Sequence, residues 1–316
     1  MRRKILDKIA EFDDIIIIPH IRPDGDCFGA SFGLKYIIED MHPDKRIYVV
    51  GTHYRDTTFM GETVEVPDEL FPKSLVISVD TGSLDRVYDQ RVLNGAYVIR
   101  IDHHPHVEDY GDLQYIAPEF PSTCTIVTDI CRKFEIPISQ KAAECLYFGT
   151  VTDTGRFKFR GVNGNTHRNI GYLLDTNIDT DKLLFLIYSK DIETMRLDGK
   201  IFSMVENSPN GLLYLRLTKK GMKKLGITSE DAGKIISKLE YINEYPVWAV
   251  FYELDDKFIR GRLRSRGPVI NEVAANYHGG GHSLAAGATL RTWKEVDSLV
   301  NDLDKEITIY KENMAK

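Results

Sequence analysis

The sequence lacks any apolar run long enough to cross a membrane. Its longest, residues 15–19 and 75–79, fall far short of the ~20 residues a spanning helix needs. It lacks a signal-peptide core, because Asp7, Glu11, Asp13 and Asp14 interrupt the stretch after the basic start. It has no excess of positive charge: 41 Lys and Arg stand against 47 Asp and Glu, a net charge of −6. That excludes a long basic groove over duplex nucleic acid, but not a small anion held by a few local cations or metal ions. The four cysteines, Cys27, Cys124, Cys131 and Cys145, form no C-x-x-C pair, which excludes a zinc ribbon and a thioredoxin motif. They read as small buried hydrophobes in a reducing cytoplasm. No repeat or low-complexity tract is present, and a 42% hydrophobic share excludes general disorder.

What is present is an alternation of strands and helices over the first half. Residues 15–18, 46–50, 75–79 and 97–101 have the continuous β-branched character of buried parallel strands. Helical spacing covers 27–39, 122–134 and 139–150, with Ser122 or Thr123 as an N-cap. The pattern predicts an α/β fold with a parallel sheet covered on both faces. Residues 166–206 read as almost wholly helical. A smaller mixed sheet follows at 212–217, 247–254 and 257–263, with helices at 268–277 and 293–313. The length suggests two domains: 1–190, a connecting helix at 191–205, and 206–316.

The carboxylates and histidines cluster where strands end. The first strand runs into His20-Ile21-Arg22-Pro23-Asp24-Gly25-Asp26, the third into Asp80-Thr81-Gly82, the fourth into Asp102-His103-His104. The helix over 139–150 ends in Thr152-Asp153-Thr154-Gly155. Ligands of open α/β sheets bind at the carboxyl ends of the strands. Any one of these segments could be a plain turn or cap. Their recurrence after three strands, with no competing lysine, favours a site. Packed carboxylates repel unless a cation or shared protons compensate. Oxygen with imidazole, and no thiolate, points to a harder divalent ion such as Mn²⁺ or Mg²⁺. His42, His53 and His167 read as surface residues and His106 as a loop residue. Asp175, Asp179 and Asp181 read as helix caps.

These four segments resemble the motif signature of the DHH phosphoesterase superfamily. Gly279-Gly280-Gly281-His282, with Ala285-Ala286-Gly287 after it, resembles the signature of the DHH-associated C-terminal domain. The compact length is most similar to the stand-alone, NrnA-like oligoribonuclease/PAP phosphatase group. The resemblance implies a parallel-sheet DHH domain with a dinuclear site, facing a smaller nucleotide-binding domain across a cleft. His20 and Asp24 would hold one ion. Asp26, one histidine of the Asp-His-His motif and Asp153 would hold the other, and Asp80 would bridge them. His103 is assigned as ligand and His104 as phosphate contact or acid, with the reverse left open. Asp102 would orient the two histidines. Two Mn²⁺, with Mg²⁺ or another divalent ion as substitute, would activate the attacking water.

The binding elements expected opposite are Arg262, Arg264 and Ser265, on one strand, with Gly279, Gly280, Gly281 and His282. Alternate arginines share a strand face, a guanidinium suits phosphate or a base, and glycine lets backbone N–H groups approach an anion. A solvated edge strand and a plain glycine turn are the competing readings. The implied substrates are short single-stranded RNA, linear dinucleotides and 3′-phosphoadenosine 5′-phosphate (PAP), hydrolysed in the cytoplasm, with a homodimer left open. No basic track with stacking aromatics is expected for long strands. The rivals are a cyclic-di-AMP or linear-dinucleotide phosphodiesterase and, from another class, a non-hydrolytic single-strand binder. The acidic balance and the complete metal set oppose the binder.

Overall fold

A computed structural model of the chain describes residues 1–53, 55–159 and 161–314. Its contacts divide it into two compact units, Met1–Ser189 and Lys190–Lys316.

The first unit contains, in chain order, α1 (Arg2–Glu11), β1 (Asp14–Ile18), α2 (Gly25–Met41), β2 (Arg46–Val49), β3 (Leu75–Val79), β4 (Tyr97–Asp102), β5 (Leu113–Ile116), α3 (Thr123–Lys133), α4 (Gln140–Asp153), α5 (Gly164–Leu174) and α6 (Thr180–Tyr188). The five strands form one parallel sheet in the order β2-β1-β3-β4-β5. The isoleucines at 15–18 explain β1: their branched Cβ atoms favour extended backbone, and the pleat sends alternate ones to opposite faces. Ile15 and Ile17 join a core with residues of α1 to α4. Ile16 and Ile18 join a second core with Phe71, Val87, Val92 and Tyr110. Both faces are therefore covered, but helices pack on only one. Loops and short 3₁₀ turns cover the other.

Two features of this unit position a site. The chain passes from β1 outward to β2 and returns on the far side of β1 as β3. The strand order reverses there, and the carboxyl ends of β1 and β3 open a crevice. Second, α2 and α4 approach closely. A Cβ on Gly29 would lie 2.6 Å from the Cys145 carbonyl, and one on Gly149 would lie 2.7 Å from the Gly25 carbonyl. Only glycine fits, and the approach brings the start of α2 beside the end of α4.

The second unit holds α7 (Ile192–Phe202), β6 (Glu206–Asn207), β7 (Leu212–Leu217), α8 (Lys219–Leu225), α9 (Ser229–Lys234), β8 (Val247–Glu253), β9 (Ile259–Ser265), α10 (Asn271–Ala275), β10 (Gly280–His282), β11 (Ala285–Leu290) and α11 (Trp293–Met314). Its sheet runs β10-β11-β9-β8-β7-β6. The β7–β8 pair is parallel and the other pairs antiparallel. The helix expected over 268–277 is only the five-residue α10. Ser265 and Gly267 fold the preceding segment into a turn, and His278 takes a left-handed φ of 52° just after the helix. The glycine run enters an edge strand rather than a loop: Gly280 and Gly281 belong to β10, and Gly279 precedes it.

Candidate active site

The crevice between β1 and β3 collects the predicted residues. Asp80 leaves β3 with a φ of 55°, a conformation that costs a non-glycine residue about 1–2 kcal/mol. This bend turns a carboxylate, only 3% exposed, toward three imidazoles. One oxygen, Oδ2, lies 3.6 Å from His20 Nε2. The other, Oδ1, lies 3.5 Å from His103 Nε2 and accepts the Thr123 hydroxyl at 2.9 Å. The Asp80 carboxylate thus faces a different imidazole on each side.

Each neighbour is aimed by a local bond. His20 follows β1 and gives its Nδ1–H to the Ile21 carbonyl at 2.8 Å, which leaves the Nε2 lone pair facing Asp80. Asp24 caps α2, accepting the N–H groups of Asp26 and Cys27 at 3.1 Å each, and lies 3.8 Å from His20 Nε2. Asp26 sits against the start of α3, where its carboxylate accepts the N–H groups of Thr123 at 2.6 Å and Cys124 at 2.9 Å. A helix N-terminus favours an anion there. Asp153 closes α4, with Oδ2 3.4 Å from His103 Nε2. Asp26 Oδ2 is 4.0 Å from the same nitrogen.

His103 and His104 differ in what they face. His103 Nε2 points into the carboxylates. His104 gives its Nδ1–H to Asp102 Oδ1 at 2.8 Å, and the same oxygen accepts the His104 backbone N–H at 3.1 Å. The His104 ring is half exposed, and its Nε2 is not the atom held by Asp102.

The electrostatics follow. Burial, then repulsion from Asp26, pushes the Asp80 carboxyl well above its usual range. Burial also pushes Asp26 up to about 6 and, with repulsion from Asp26, Asp153 up to about 7. Burial lowers His103, partly offset by Asp153, while the bond to Asp102 raises His104. A divalent cation would relieve this crowding of carboxylates. The donors are carboxylate oxygens and imidazole nitrogens, and two groups of them, Asp80 with His103 and His104 and Asp26 with His103 and Asp153, have ligand atoms within 4.8 Å of one another. The donor set fits a metal.

Three site residues were not anticipated. Arg100 is fully buried. Its Nη2 donates to Asp102 Oδ2 at 2.8 Å and to the Gly82 carbonyl at 2.9 Å, and its Nη1 donates to the Glu108 carbonyl at 2.8 Å. A charged residue in the middle of an apolar strand was the available signal. Thr123 carried no signal, because its partner Asp80 is distant in sequence. Cys27 lies among His20 and Asp80, but burial raises its thiol well above normal. Its Sγ accepts the His20 N–H and donates to the Val79 carbonyl at 3.6 Å, so it serves as a packed thiol. His53, expected at the surface, packs against the rings of Phe28 and Phe32, with Nδ1 3.1 Å from the Thr57 hydroxyl.

In the second unit, β9 alternates as expected: Arg260 and Arg262 are exposed and Arg264 is half-buried on one face, with Ile259, Gly261, Leu263 and Ser265 buried on the other. Pairing extends that face. Arg262 stands opposite Gly287, which stands opposite Gly280. Arg264 stands opposite Ala285, which stands opposite His282. Residues in such rows share a face, so Arg262, Arg264, Gly280 and His282 form one surface floored by small residues. Ser265 does not join them. It is buried on the other face, and its hydroxyl donates to the Pro268 carbonyl at 2.6 Å. The three glycines also differ. A Cβ on Gly279 would lie 2.0 Å from the Gly287 carbonyl, and one on Gly281 2.6 Å from the Ala285 carbonyl. At Gly280 nothing lies within 4 Å.

Comparison with known proteins agrees with both halves. The N-terminal domain of the DHH family matches residues 14–150, and the DHHA1 domain matches residues 210–308. The bifunctional oligoribonuclease and PAP phosphatase NrnA of Bacillus subtilis is 35% identical over 307 residues, covering 96% of this chain and 98% of its own. The chain belongs to the DHH family. A probable enzyme of the same name from Streptococcus mutans is 36% identical, covering 95% of this chain and 97% of its own. An exopolyphosphatase-related protein from Bacteroides fragilis superposes with a TM-score of 0.78 at 25% identity, covering 100% of this chain and 97% of that one. As a DHH phosphoesterase, the protein is a hydrolase acting on phosphate esters, and its acidic and histidine cluster is where such an enzyme could bind metal. Among the described residues, no helix is long and apolar enough to cross a membrane.

Proposed function

We propose that this DHH phosphoesterase cleaves short oligoribonucleotides and linear dinucleotides to mononucleotides, and removes the 3′-phosphate of PAP to give AMP, with two Mn²⁺ ions in the cytoplasm. The observation that carries the two-ion reading is the Asp80 carboxylate, with one oxygen toward His20 and the other toward His103. The names of the relatives support the choice of substrates.

In this reading His20 and Asp24 would hold one ion, Asp26, His103 and Asp153 would hold the other, and Asp80 would serve as a ligand to both. Bound divalent ions would polarise the phosphoryl oxygens and acidify water at neutral pH. The remaining work falls to the chain. His104, held at Nδ1 by Asp102, presents Nε2 to the phosphate. That bond raises its pKa and so favours the protonated ring, whose Nε2–H donates toward the phosphoryl or leaving oxygen. Asp102 keeps the ring oriented and is itself fixed by Arg100. Arg262, Arg264, Gly280 and His282 supply a surface for a second phosphate and its base.

A substrate panel with Mn²⁺ tests the reading: dinucleotide, five-mer, a strand of ~20 nucleotides, cyclic-di-AMP, PAP and pyrophosphate. The expected order places the dinucleotide and five-mer well above the long strand, with PAP also hydrolysed. A kcat/KM that rises with length, or preference for cyclic-di-AMP or pyrophosphate, would replace it.

A further inference from the structure

Immediately beyond Asp153 the chain reads Thr154-Gly155-Arg156-Phe157-Lys158-Phe159, an interleaving of cations and aromatics. Its backbone is unusual. Gly155, Arg156 and Phe157 take successive positive φ values of 56°, 63° and 64°, two of them in residues with side chains. Such strain persists only where the surroundings over-determine it. Here Thr154, fully buried, does so. Its hydroxyl accepts the Phe157 N–H at 3.1 Å, and its carbonyl accepts the N–H groups of both Lys158 and Phe159 at 3.1 Å. The Arg156 N–H returns to the Val151 carbonyl at 2.8 Å.

The turn sends the two aromatics to different fates. Phe157 is partly buried and packs against the main core. Phe159 is 54% exposed. Its ring lies over Gly155, where a Cβ would come within 2.5 Å of Cζ. An exposed aromatic ring, backed by Gly155, therefore stands in the turn that directly follows Asp153, a residue of the candidate metal cluster. The guanidinium of Arg156 is anchored over the Tyr188 ring, 4.6 Å from its centroid, which braces the turn against α6.

We propose that Phe159 is a stacking platform for the nucleobase of the nucleotide whose phosphate lies at the carboxylate–histidine cluster. The inference rests on the phosphoesterase reading of that cluster, and it names what distinguishes a nucleotide from a bare phosphate ester there. Every base has a π-face, so the platform favours nucleotides without choosing among bases, and the held turn keeps the ordering cost of binding low. A purely structural role, capping the end of α4 with an apolar ring, is the competing explanation.

The test reads binding rather than turnover, so it is separable from the substrate panel. Affinities of AMP and of ribose 5-phosphate are measured by calorimetry on the full chain with Mn²⁺. The wild type is expected to prefer AMP by about 5- to 100-fold, the range that one base–aromatic stack gives. Phe159→Ala should abolish that preference without changing ribose 5-phosphate affinity. Phe159→Trp should keep it. Phe159→Leu, which retains an apolar cap but no π-face, should lose it while preserving the thermal midpoint. No AMP preference in the wild type, an unchanged preference in Phe159→Ala, or full preference in Phe159→Leu would overturn the platform.

Discussion

Asp80 and Arg262 illustrate how differently the two units hold their candidate residues. Asp80 is buried, strained and crowded by other carboxylates. Arg262 is exposed on β9, with its Nε 3.4 Å from the Tyr252 hydroxyl. A buried carboxylate among carboxylates has no stabilising explanation, so its presence argues for chemistry. An exposed arginine costs almost nothing, so its presence argues for little until its neighbours are known. In the second unit the strongest indicator is therefore Gly280, a glycine that sterics do not require, between two that they do.

The comparison predicts that activity and stability separate in the first unit. Asp80→Asn keeps the side-chain shape and a residue tolerant of positive φ, but removes the buried charge. Turnover of a dinucleotide with Mn²⁺ should fall by at least about 10²–10³-fold. The metal-free protein should melt no lower than wild type, because an uncompensated buried charge is gone. A variant with near-normal kcat would remove Asp80 from the site.

Arg100 should behave in the opposite way. Arg100→Met strands Asp102 as a buried, half-partnered charge, at a cost of about 3–5 kcal/mol, or roughly 10 °C in thermal midpoint. Pairing it with Asp102→Asn should restore much of that stability while activity stays low, since His104 is no longer oriented. If the double substitution restored kcat as well, Arg100 and Asp102 would be packing residues only.

In the second unit, Gly279→Ala should destabilise markedly because its Cβ meets a carbonyl oxygen at 2.0 Å. Gly280→Ala should leave the thermal midpoint within a degree or two and raise KM for dinucleotides several-fold with kcat little changed. Equal behaviour of the two variants, read by melting and steady-state kinetics, would mean that the whole run is structural.

The smallest expected effect is a slope with pH. Asp26 and Asp153 titrate near 6 and 7 in the folded chain, against an ordinary carboxylate value of 3.8. Through that interval the metal-free folded protein holds protons that the unfolded chain has released, so its stability falls as pH rises. The raised His104 acts in the same direction, and the lowered His103 opposes it. Thermal midpoints in EDTA should decline from about pH 5 to about pH 8, and Mn²⁺ should flatten the decline. A midpoint that rises over this range without metal would contradict the crowding described above.

Much of this was legible in the sequence because strand signals and functional residues adjoin. The runs at 15–18 and 75–79 could be read as buried strands, and His20 and Asp80 follow them directly. Legibility failed where structure depends on distant partners. The sequence lists Thr123 and Cys124 nearly a hundred residues from Asp26, with nothing to indicate that their N–H groups would hold its carboxylate. Ser265 was misplaced because alternation fixes the face of every β9 residue: once Arg262 and Arg264 point one way, their neighbour points the other. β5 gives little strand signal because Leu113–Ile116 is short and less apolar than its partners. The run after Asp153 carries no sequence signal because its meaning lies in backbone angles that composition does not display.

The cluster around Asp80 draws on β1, the start of α2, β3, β4, the first turn of α3 and the end of α4. His20, Asp24 and Asp26 share one short stretch, but Asp80, His103 and Asp153 come from three others, so the donor atoms converge only when the parallel sheet and its helical layer have assembled. Ion affinity and the folding of Met1–Ser189 are then a single equilibrium viewed from two ends. A substitution deep in the α2–α4 contact, far from any donor, would surface as weaker metal uptake. In a cell the supply of the metal would set how much of this chain survives as well as how fast it works.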